Sequence, residues 1–408
     1  MNIFRRRLCR SCSRSFPAAY YSEFVCPACA RTSIAGMLRE RLAKQHFFGS
    51  SPAPFVGRFG YPLVNVGILS PGVVSDDAWM YDAPEFWSSS NLQIPQIVDY
   101  RASLVNSRAK SQVKSGSRYL DLARDVAMAS KPVDVEVSFK RKPAIGLSFS
   151  EFTAPSGPAV ELESASLASN PRVHAKVEKV FSDTDLRAAE AVSYLYRSSF
   201  DVNFLSKILS VGTLGLQPDR RLVPTRFAIT ATDDMIGKQL IAGVKDFQEI
   251  GSHLAFFGGY LGNYYLVMLF PDVWSYELFE AYARADDFST DYESYAGRKT
   301  YAESCAGGYY AARLGVLELL KSMKRQASVL VVRMITDEYQ LPLGVWVVRE
   351  AVRKAAAEKP IEFSSGDLML KYADAVVSRK FGYAHFSRIL SSSLLLRSRS
   401  QMKLGGFF

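Results

Sequence analysis

Two pairs of cysteines limit how the first thirty or so residues of this 408-residue chain can fold. Two residues separate Cys9 from Cys12 and Cys26 from Cys29, so the sulfurs of each tight turn can converge on one ion. Two such turns complete a tetrahedron of thiolates, and the spacing therefore predicts a closed structural Zn²⁺ site. Two disulfides are the alternative, which the lack of a recognisable export signal disfavours.

Positive charge is concentrated near the two ends. Residues 1–45 hold nine Lys or Arg and two Glu, a net +7, and residues 396–408 hold three Lys or Arg and no acid, a net +3. The total is +10, so the 350 residues between them sum to zero. Such ends suit attachment to a polyanion, although a solvated surface gives the same pattern. The candidate nucleic-acid contacts are Arg5, Arg6 and Arg7 beside the cysteines, and Arg108, Lys110 and Lys114 in an acid-free stretch.

Alternating and helical patterns follow one another without a repeat, which predicts an α+β fold with a mixed core domain. The predicted strands are 133–139, 227–232 and 329–335, with a hairpin at 254–270. The predicted helices are 32–48, 307–323, 345–357 and one that begins near residue 235. We expect a small zinc-binding module over 1–48, the core over 49–390 and a flexible tail over 391–408. Glycines interrupt the longest uncharged run, 254–270, so we expect a buried β-hairpin in a soluble protein and no membrane span.

The richest candidate for chemistry is a pair of carboxylates downstream of an arginine. Asp233 and Asp234 stand at a predicted helix start, where a carboxylate can hold Mg²⁺ or Mn²⁺ or activate water. Arg226 can hold a phosphate. The alternative is that Asp233 only caps the helix, and the sequence leaves open whether the chain is an enzyme.

Two further acidic groups are notable. The first interleaves carboxylates with aromatic residues: Asp76, Asp77, Trp79, Tyr81, Asp82, Glu85 and Trp87. It predicts either a base-stacking pocket or a loop packed by its own aromatics. The second is expected on an exposed helix and its end: Glu277, Glu280, Asp286 and Asp287.

The last eight residues have the spacing of a short binding peptide. Gln401, Leu404 and Phe407 recur every three residues, the period of a 3₁₀ turn, with Phe408 beside them. This pattern resembles the PIP motif of proteins that bind the sliding clamp PCNA. The resemblance implies that Gln401 enters a small polar pocket while Leu404, Phe407 and Phe408 fill an apolar one. Gly405-Gly406 departs from a preorganised turn, and the alternative is that the two Phe pack on this chain's own core.

The paired cysteines, the terminal motif and three internal stretches together resemble the archaeal Nre family of DNA repair proteins. The stretches are YPLVNVG at 61–67, LVPTR at 222–226 and LPLGVW at 341–346. The resemblance implies a cytoplasmic, nucleoid-associated DNA repair factor tethered to PCNA, and it supplies no defined chemical activity. From the acidic and basic residues described above, we expect the core to bind damaged DNA or a nucleotide, with or without metal-dependent hydrolysis. The alternative is a non-enzymatic adaptor that brings other repair proteins to the clamp.

Overall fold

The computed structural model describes residues 45–114, 116–144 and 146–400, and the backbone of two short strands before them. Its strands are β1 (Arg6–Leu8), β2 (Ser15–Pro17), β3 (His46–Ser51), β4 (Ala53–Val56), β5 (Leu63–Ser70), β6 (Val105–Gln112), β7 (Val133–Phe139), β8 (Ala159–Leu167), β9 (His253–Tyr260), β10 (Asn263–Phe270), β11 (Ser275–Tyr282), β12 (Phe288–Glu293), β13 (Ser328–Ile335) and β14 (Ile361–Phe363).

The α-helices of the same residues are α1 (Pro84–Ser89), α2 (Ile94–Ala102), α3 (Arg118–Met128), α4 (Ala175–Ser182), α5 (Ala188–Arg197), α6 (Val202–Ser210), α7 (Thr225–Val244), α8 (Ala306–Met323), α9 (Trp346–Ala357), α10 (Gly366–Phe381), α11 (Phe386–Ser392) and α12 (Leu394–Ser400). Short 3₁₀ helices span Asp76–Asp82 and Gln217–Asp219. These elements confirm the α+β class. None of the helices in the described ranges combines the length and apolar character that crossing a membrane requires.

The chain divides into two compact units, each with its own six-stranded mixed sheet. The first unit comprises Pro27–Ile236 and Leu341–Trp346, and its strand order is β3-β7-β8-β6-β5-β4. The second unit comprises Met1–Cys26, Gly237–Gln340 and Val347–Phe408, with the order β12-β11-β13-β10-β9-β14. The residues predicted as one core domain over 49–390 are thus divided between the two units.

Alternation of apolar residues builds the first unit's core. In β7 the four apolar side chains from Val133 to Phe139 are buried and the polar ones between them are half-exposed. Helix α3 packs against this core through Leu122 and Val126, and Ser117 caps it by accepting the backbone N–H of Leu120.

The second unit is covered on both faces of its sheet, so every residue of β13 is buried. One face packs against α10, α11 and α12 through residues such as Met369, Phe386 and Leu395. On another part of the sheet, the Tyr276 hydroxyl donates to the Tyr309 carbonyl of α8. The hairpin predicted at 254–270 is confirmed: it turns at Leu261 and Gly262, which both have positive φ.

The strand predicted over 227–232 is wrong, because these residues lie in helix α7. The short period-two pattern of this stretch is ambiguous, and the 20-residue helix that contains it is too long for a strand. Asp233 and Asp234 are consequently in the interior of a helix and not at its start.

The exposed helix predicted for the second acidic group, which includes Glu277 and Glu280, is also wrong. Glu277 and Glu280 lie on β11, which pairs with β12 and β13, and only Asp286 and Asp287 lie outside it. Glu277 is fully buried. Pairing on both sides of the strand overrides the local pattern.

Residues 391–400, predicted to begin the flexible tail, are helical and packed. The Glu277 carboxylate accepts the Ser393 hydroxyl at 2.5 Å and the backbone N–H groups of Leu394 and Leu395 at 3.0 Å. Burial raises the pKa of Glu277, and these three donors oppose that rise. Leu395 itself is fully buried. At the other predicted boundary, residues 46–48 of the expected helix belong to β3, and residues 32–44 lie outside the described residues.

Candidate functional site

An exposed hairpin tip joins β4 to β5. Phe59 and Tyr61 are 71% and 62% exposed, and the guanidinium of Arg58 lies 4.4 Å from the centre of the Phe59 ring. Gly60 has a φ of +87°, and its carbonyl accepts the N–H of Leu63, which closes the turn. The tip therefore presents two large rings and a cation to solvent.

Strand β6 places the predicted basic stretch beside this hairpin. In the ladder between β5 and β6, Lys110 is opposite Asn65 and Arg108 is opposite Gly67. Lys110 and Lys114 are exposed, whereas Arg108 is half-buried over Phe55. Burial lowers the pKa of the Arg108 guanidinium, which nevertheless stays charged at neutral pH.

A third segment, residues 220–227, is held at the same end of the sheet. The N–H of Leu222 donates to the Val113 carbonyl at 2.9 Å, and the N–H of Val56 donates to the Thr225 hydroxyl at 3.0 Å. The Arg226 guanidinium lies 3.7 Å from the centre of the Phe152 ring, and the neighbouring Phe227 is 51% exposed.

The three segments, 52–75, 105–118 and 220–232, contain no Asp or Glu. We name their exposed part the basic aromatic surface, defined by Arg58, Phe59, Tyr61, Lys110, Lys114 and Phe227. The sequence predicted Lys110 and Lys114 as contacts but missed the rings, although Gly60 and Pro62 marked the turn that exposes them.

A cavity of about 340 Å³ lies in the first unit, apart from that surface. Two of its aromatic wall residues, Trp79 and Phe86, meet edge to face with ring centres 4.9 Å apart. Its other lining side chains include Asp82, Lys131, Asn203, Phe204 and Lys207. Three residues of the group predicted from interleaved acids and aromatics at 76–87 therefore line this cavity: Trp79, Asp82 and Glu85.

Asp82 is the electrostatic centre of the cavity wall. Its side chain is 8% exposed, and its carboxylate contacts Arg101 at 2.5 Å and Lys207 at 3.2 Å. Burial alone would raise the pKa of Asp82, but the two cations and the Asn203 amide outweigh burial and lower it. Asp82 is thus a fixed anion at neutral pH.

The candidates Asp233, Asp234 and Arg226 do not line this cavity. Asp233 is fully buried, and Asp76 and Asp77 are exposed on the 3₁₀ helix before the cavity. Among the residues the structure describes, no group of three or more His, Cys, Asp or Glu side chains is placed to hold a metal ion. This cavity therefore does not bring Asp233, Asp234 or Arg226 together with Asp82.

Several predicted sites lie outside the described residues. They are the cysteines Cys9, Cys12, Cys26 and Cys29, the cation Arg5, and the motif residues Gln401, Leu404, Phe407 and Phe408. Arg6 and Arg7 belong to β1, of which only the backbone is described.

Family models and curated relatives cover nearly the whole chain. Models described as "Archaeal Nre, N-terminal" and "Archaeal Nre, C-terminal" match residues 22–289 and 293–407. The DNA repair protein NreB of Archaeoglobus fulgidus is 35% identical over 396 residues, covering 95% of this chain and 97% of the relative. The DNA repair protein NreA of Haloferax volcanii is 39% identical over 323 residues, covering 75% and 77%. NreA of Archaeoglobus fulgidus is 38% identical over 349 residues, covering 83% and 87%.

The search of solved structures gave no significant match. The family assignment therefore stands on sequence, through two adjacent family models and relatives that align along most of their length. On this evidence the chain belongs to the archaeal Nre family.

Proposed function

We propose that this protein acts in DNA repair and binds single-stranded DNA through the basic aromatic surface of its first unit. The observation that carries the proposal is that three acid-free segments meet at one end of the sheet and expose aromatic rings among cations. The repair role is supported by the names of relatives that align along most of the chain.

The chemistry of this surface suits an unpaired strand. Each base has a π-face that can stack on an exposed ring such as Phe59 or Tyr61, whatever the sequence. Lys110 and Lys114 can neutralise phosphates while releasing counterions. A paired duplex hides its base faces, so the rings favour single strands.

Alanine at both Phe59 and Tyr61 should weaken binding of a fluorescent oligothymidylate by at least about tenfold, because base stacking on an aromatic ring contributes about 1–3 kcal/mol per base. Fluorescence anisotropy with the full-length protein measures the change. The matched control is Phe48→Ala, since Phe48 is also exposed but lies on β3, at the other end of the strand order. Equally weakened binding in both variants would contradict the proposal.

The two lysines are tested by salt dependence. The Lys110→Ala, Lys114→Ala variant should reduce the slope of log affinity against log salt by roughly 0.7 for each phosphate that the protein no longer neutralises. The Phe59→Ala, Tyr61→Ala variant, which we call the tip variant, should have a slope close to that of wild type, because stacking releases few ions. A lysine variant with an unchanged slope would remove phosphate binding from the proposal.

The proposal includes a tether to the sliding clamp PCNA and a structural zinc ion. Support for the tether is the match of Gln401, Leu404, Phe407 and Phe408 to the PIP pattern. Zinc is supported by two Cys-x-x-Cys pairs, which supply the four thiolates that a tetrahedral site needs. Binding of single-stranded DNA requires no hydrolytic step, and a non-enzymatic role at the clamp is compatible with it.

Replacing Cys12 and Cys29 with serine should lower the zinc content from about one ion per chain to near zero, since a hydroxyl is a poor substitute for a thiolate. Elemental analysis of the purified protein measures this. The control is Cys305→Ser, because Cys305 is buried at the start of α8 and has no place in the predicted cluster. Zinc-free wild-type protein, or zinc retained by the double variant, would refute the site.

A further inference from the structure

The cavity beside Asp82 has the size and the wall of a small-molecule site. Its volume of about 340 Å³ lies within the usual range for ligand pockets. Trp79 and Phe86 provide rings at one side, and the half-buried Phe204 adds a third from α6. Aromatic rings of this kind can stack on the face of an aromatic ligand or meet its edge.

Hydrogen bonds within the wall fix what its polar groups offer to a ligand. The Asn203 Nδ2 donates to both the carbonyl and the carboxylate of Asp82 at 3.0 Å. An ionised carboxylate only accepts, so the amide nitrogen must face Asp82. The amide oxygen of Asn203 is therefore left as an acceptor for a ligand.

Lys207 supplies a donor one helical turn further along α6. Its ammonium donates to the Pro52 carbonyl at 3.2 Å and lies 3.2 Å from the Asp82 carboxylate. An ammonium has three N–H groups, so one remains for a ligand. Lys207 and Asn203 thus present a donor and an acceptor four residues apart on one face of a helix.

The charge of the lining decides which part of a ligand enters. Asp82, Glu85 and Asp201 carry three negative charges, and Lys131, Lys207 and the Arg101 behind Asp82 carry three positive ones, so the site has no net charge. Phosphate groups therefore gain no net electrostatic attraction inside the cavity. A neutral heteroaromatic group with adjacent donor and acceptor atoms fits better.

We propose that this cavity binds an unstacked nucleobase between the Trp79–Phe86 wall and the polar pair formed by Asn203 and Lys207. No residue of the basic aromatic surface lines the cavity, so the inference does not depend on that surface. The base can belong to a free nucleoside or to a nucleotide turned out of a DNA strand, since both present the same edge and face.

Tryptophan fluorescence gives a direct readout. Trp79 is 40% exposed, whereas Trp87, Trp274 and Trp346 are at most 5% exposed. A base stacked in the cavity should therefore quench mainly Trp79. Wild-type protein titrated with each of the four 2′-deoxynucleosides should show saturable quenching with at least one, and 2-deoxyribose alone should show none.

Two variants test the site by calorimetry. Trp79→Ala removes the stacking wall and Asn203→Leu removes the acceptor, and each should weaken nucleoside binding at least about tenfold. Because Asn203 also contacts Asp82, the melting temperature of its variant must be measured, whereas the exposed Trp79 can be removed without that concern. The control is the Phe59→Ala, Tyr61→Ala variant, which should bind nucleosides like wild type.

Duplexes with and without one bulged base identify the source of the base. If the protein binds the bulged duplex and Trp79→Ala weakens that binding, the base belongs to DNA. If the protein binds nucleosides but not the bulged duplex, the ligand is a free nucleoside. No binding of any nucleoside or bulged duplex, or binding that Trp79→Ala leaves unchanged, would overturn the inference. Loss of oligothymidylate binding in the tip variant with intact nucleoside binding would separate this site from the proposed surface.

Discussion

Alanine at both Phe407 and Phe408 should reduce the affinity of the full-length protein for an archaeal PCNA by at least about 100-fold. Burying an aromatic side chain in an apolar pocket contributes about 2 kcal/mol, so removal of two removes about 4 kcal/mol, roughly half of the binding free energy of a peptide with micromolar affinity. Isothermal titration calorimetry against the purified clamp measures the loss. The wild-type affinity is expected to be on the order of micromolar, because ordering a short peptide offsets part of the apolar gain.

The control for this experiment is Met402→Ala, which changes an apolar residue of the same segment that has no assigned pocket. It should bind PCNA within a few-fold of wild type. The thermal midpoint of the double variant should match wild type, because the proposed contact is with another protein. A large drop in that midpoint with unchanged clamp binding would show that the two rings stabilise the chain itself.

Asp82→Ala should destabilise the first unit by about 3–5 kcal/mol, because it leaves the buried Arg101 guanidinium without its anion. Urea unfolding at pH 7 measures the change. The control is Glu161→Ala, since Glu161 contacts Lys140 at the same 2.5 Å separation but both side chains are more than half exposed. That variant should show no resolvable change, as exposed ion pairs contribute little. Similar destabilisation in both variants would contradict the importance of burial.

The same ion pair predicts a pH dependence. The pKa of Asp82 is lowered below its usual 3.8, so the folded state favours the ionised form. The stability from this group is present above about pH 3.8 and is lost as the pH falls through the lowered pKa. Wild-type stability should therefore decline in this acid window more steeply than that of Asp82→Ala. If the free energy of unfolding falls equally steeply with decreasing pH in the two proteins, this prediction is wrong.

The sequence was most informative where a local signal and the tertiary fold agree. Glycine at the turn before Asn263 predicted the β9–β10 hairpin, because only a chain reversal with positive φ suits that position. Alternating valines predicted β7, because one face of that strand is buried. The interleaved acids and tryptophans around Asp82 predicted a pocket as one of two alternatives, and three of these residues do line a cavity.

Sequence reasoning failed where distant contacts decide the structure. The residues 227–232 suit a strand or a helix, and only the length of α7 distinguishes the two. Glu277 looked like a surface acid because its partners, Ser393 to Leu395, are more than a hundred residues away in the chain. Asn203 and Lys207 lie on α6, far in sequence from Asp82, and no local motif could place them in its cavity.

The Glu277 carboxylate that holds the start of α12 has a consequence for the reach of the clamp motif. Helix α12 ends at Ser400 and the motif begins at Gln401, so no linker residue separates the packed helix from the motif. A clamp bound through this motif would therefore lie close to the second unit. Inserting flexible residues after Ser400 would increase the distance between the two proteins without changing the surface of either.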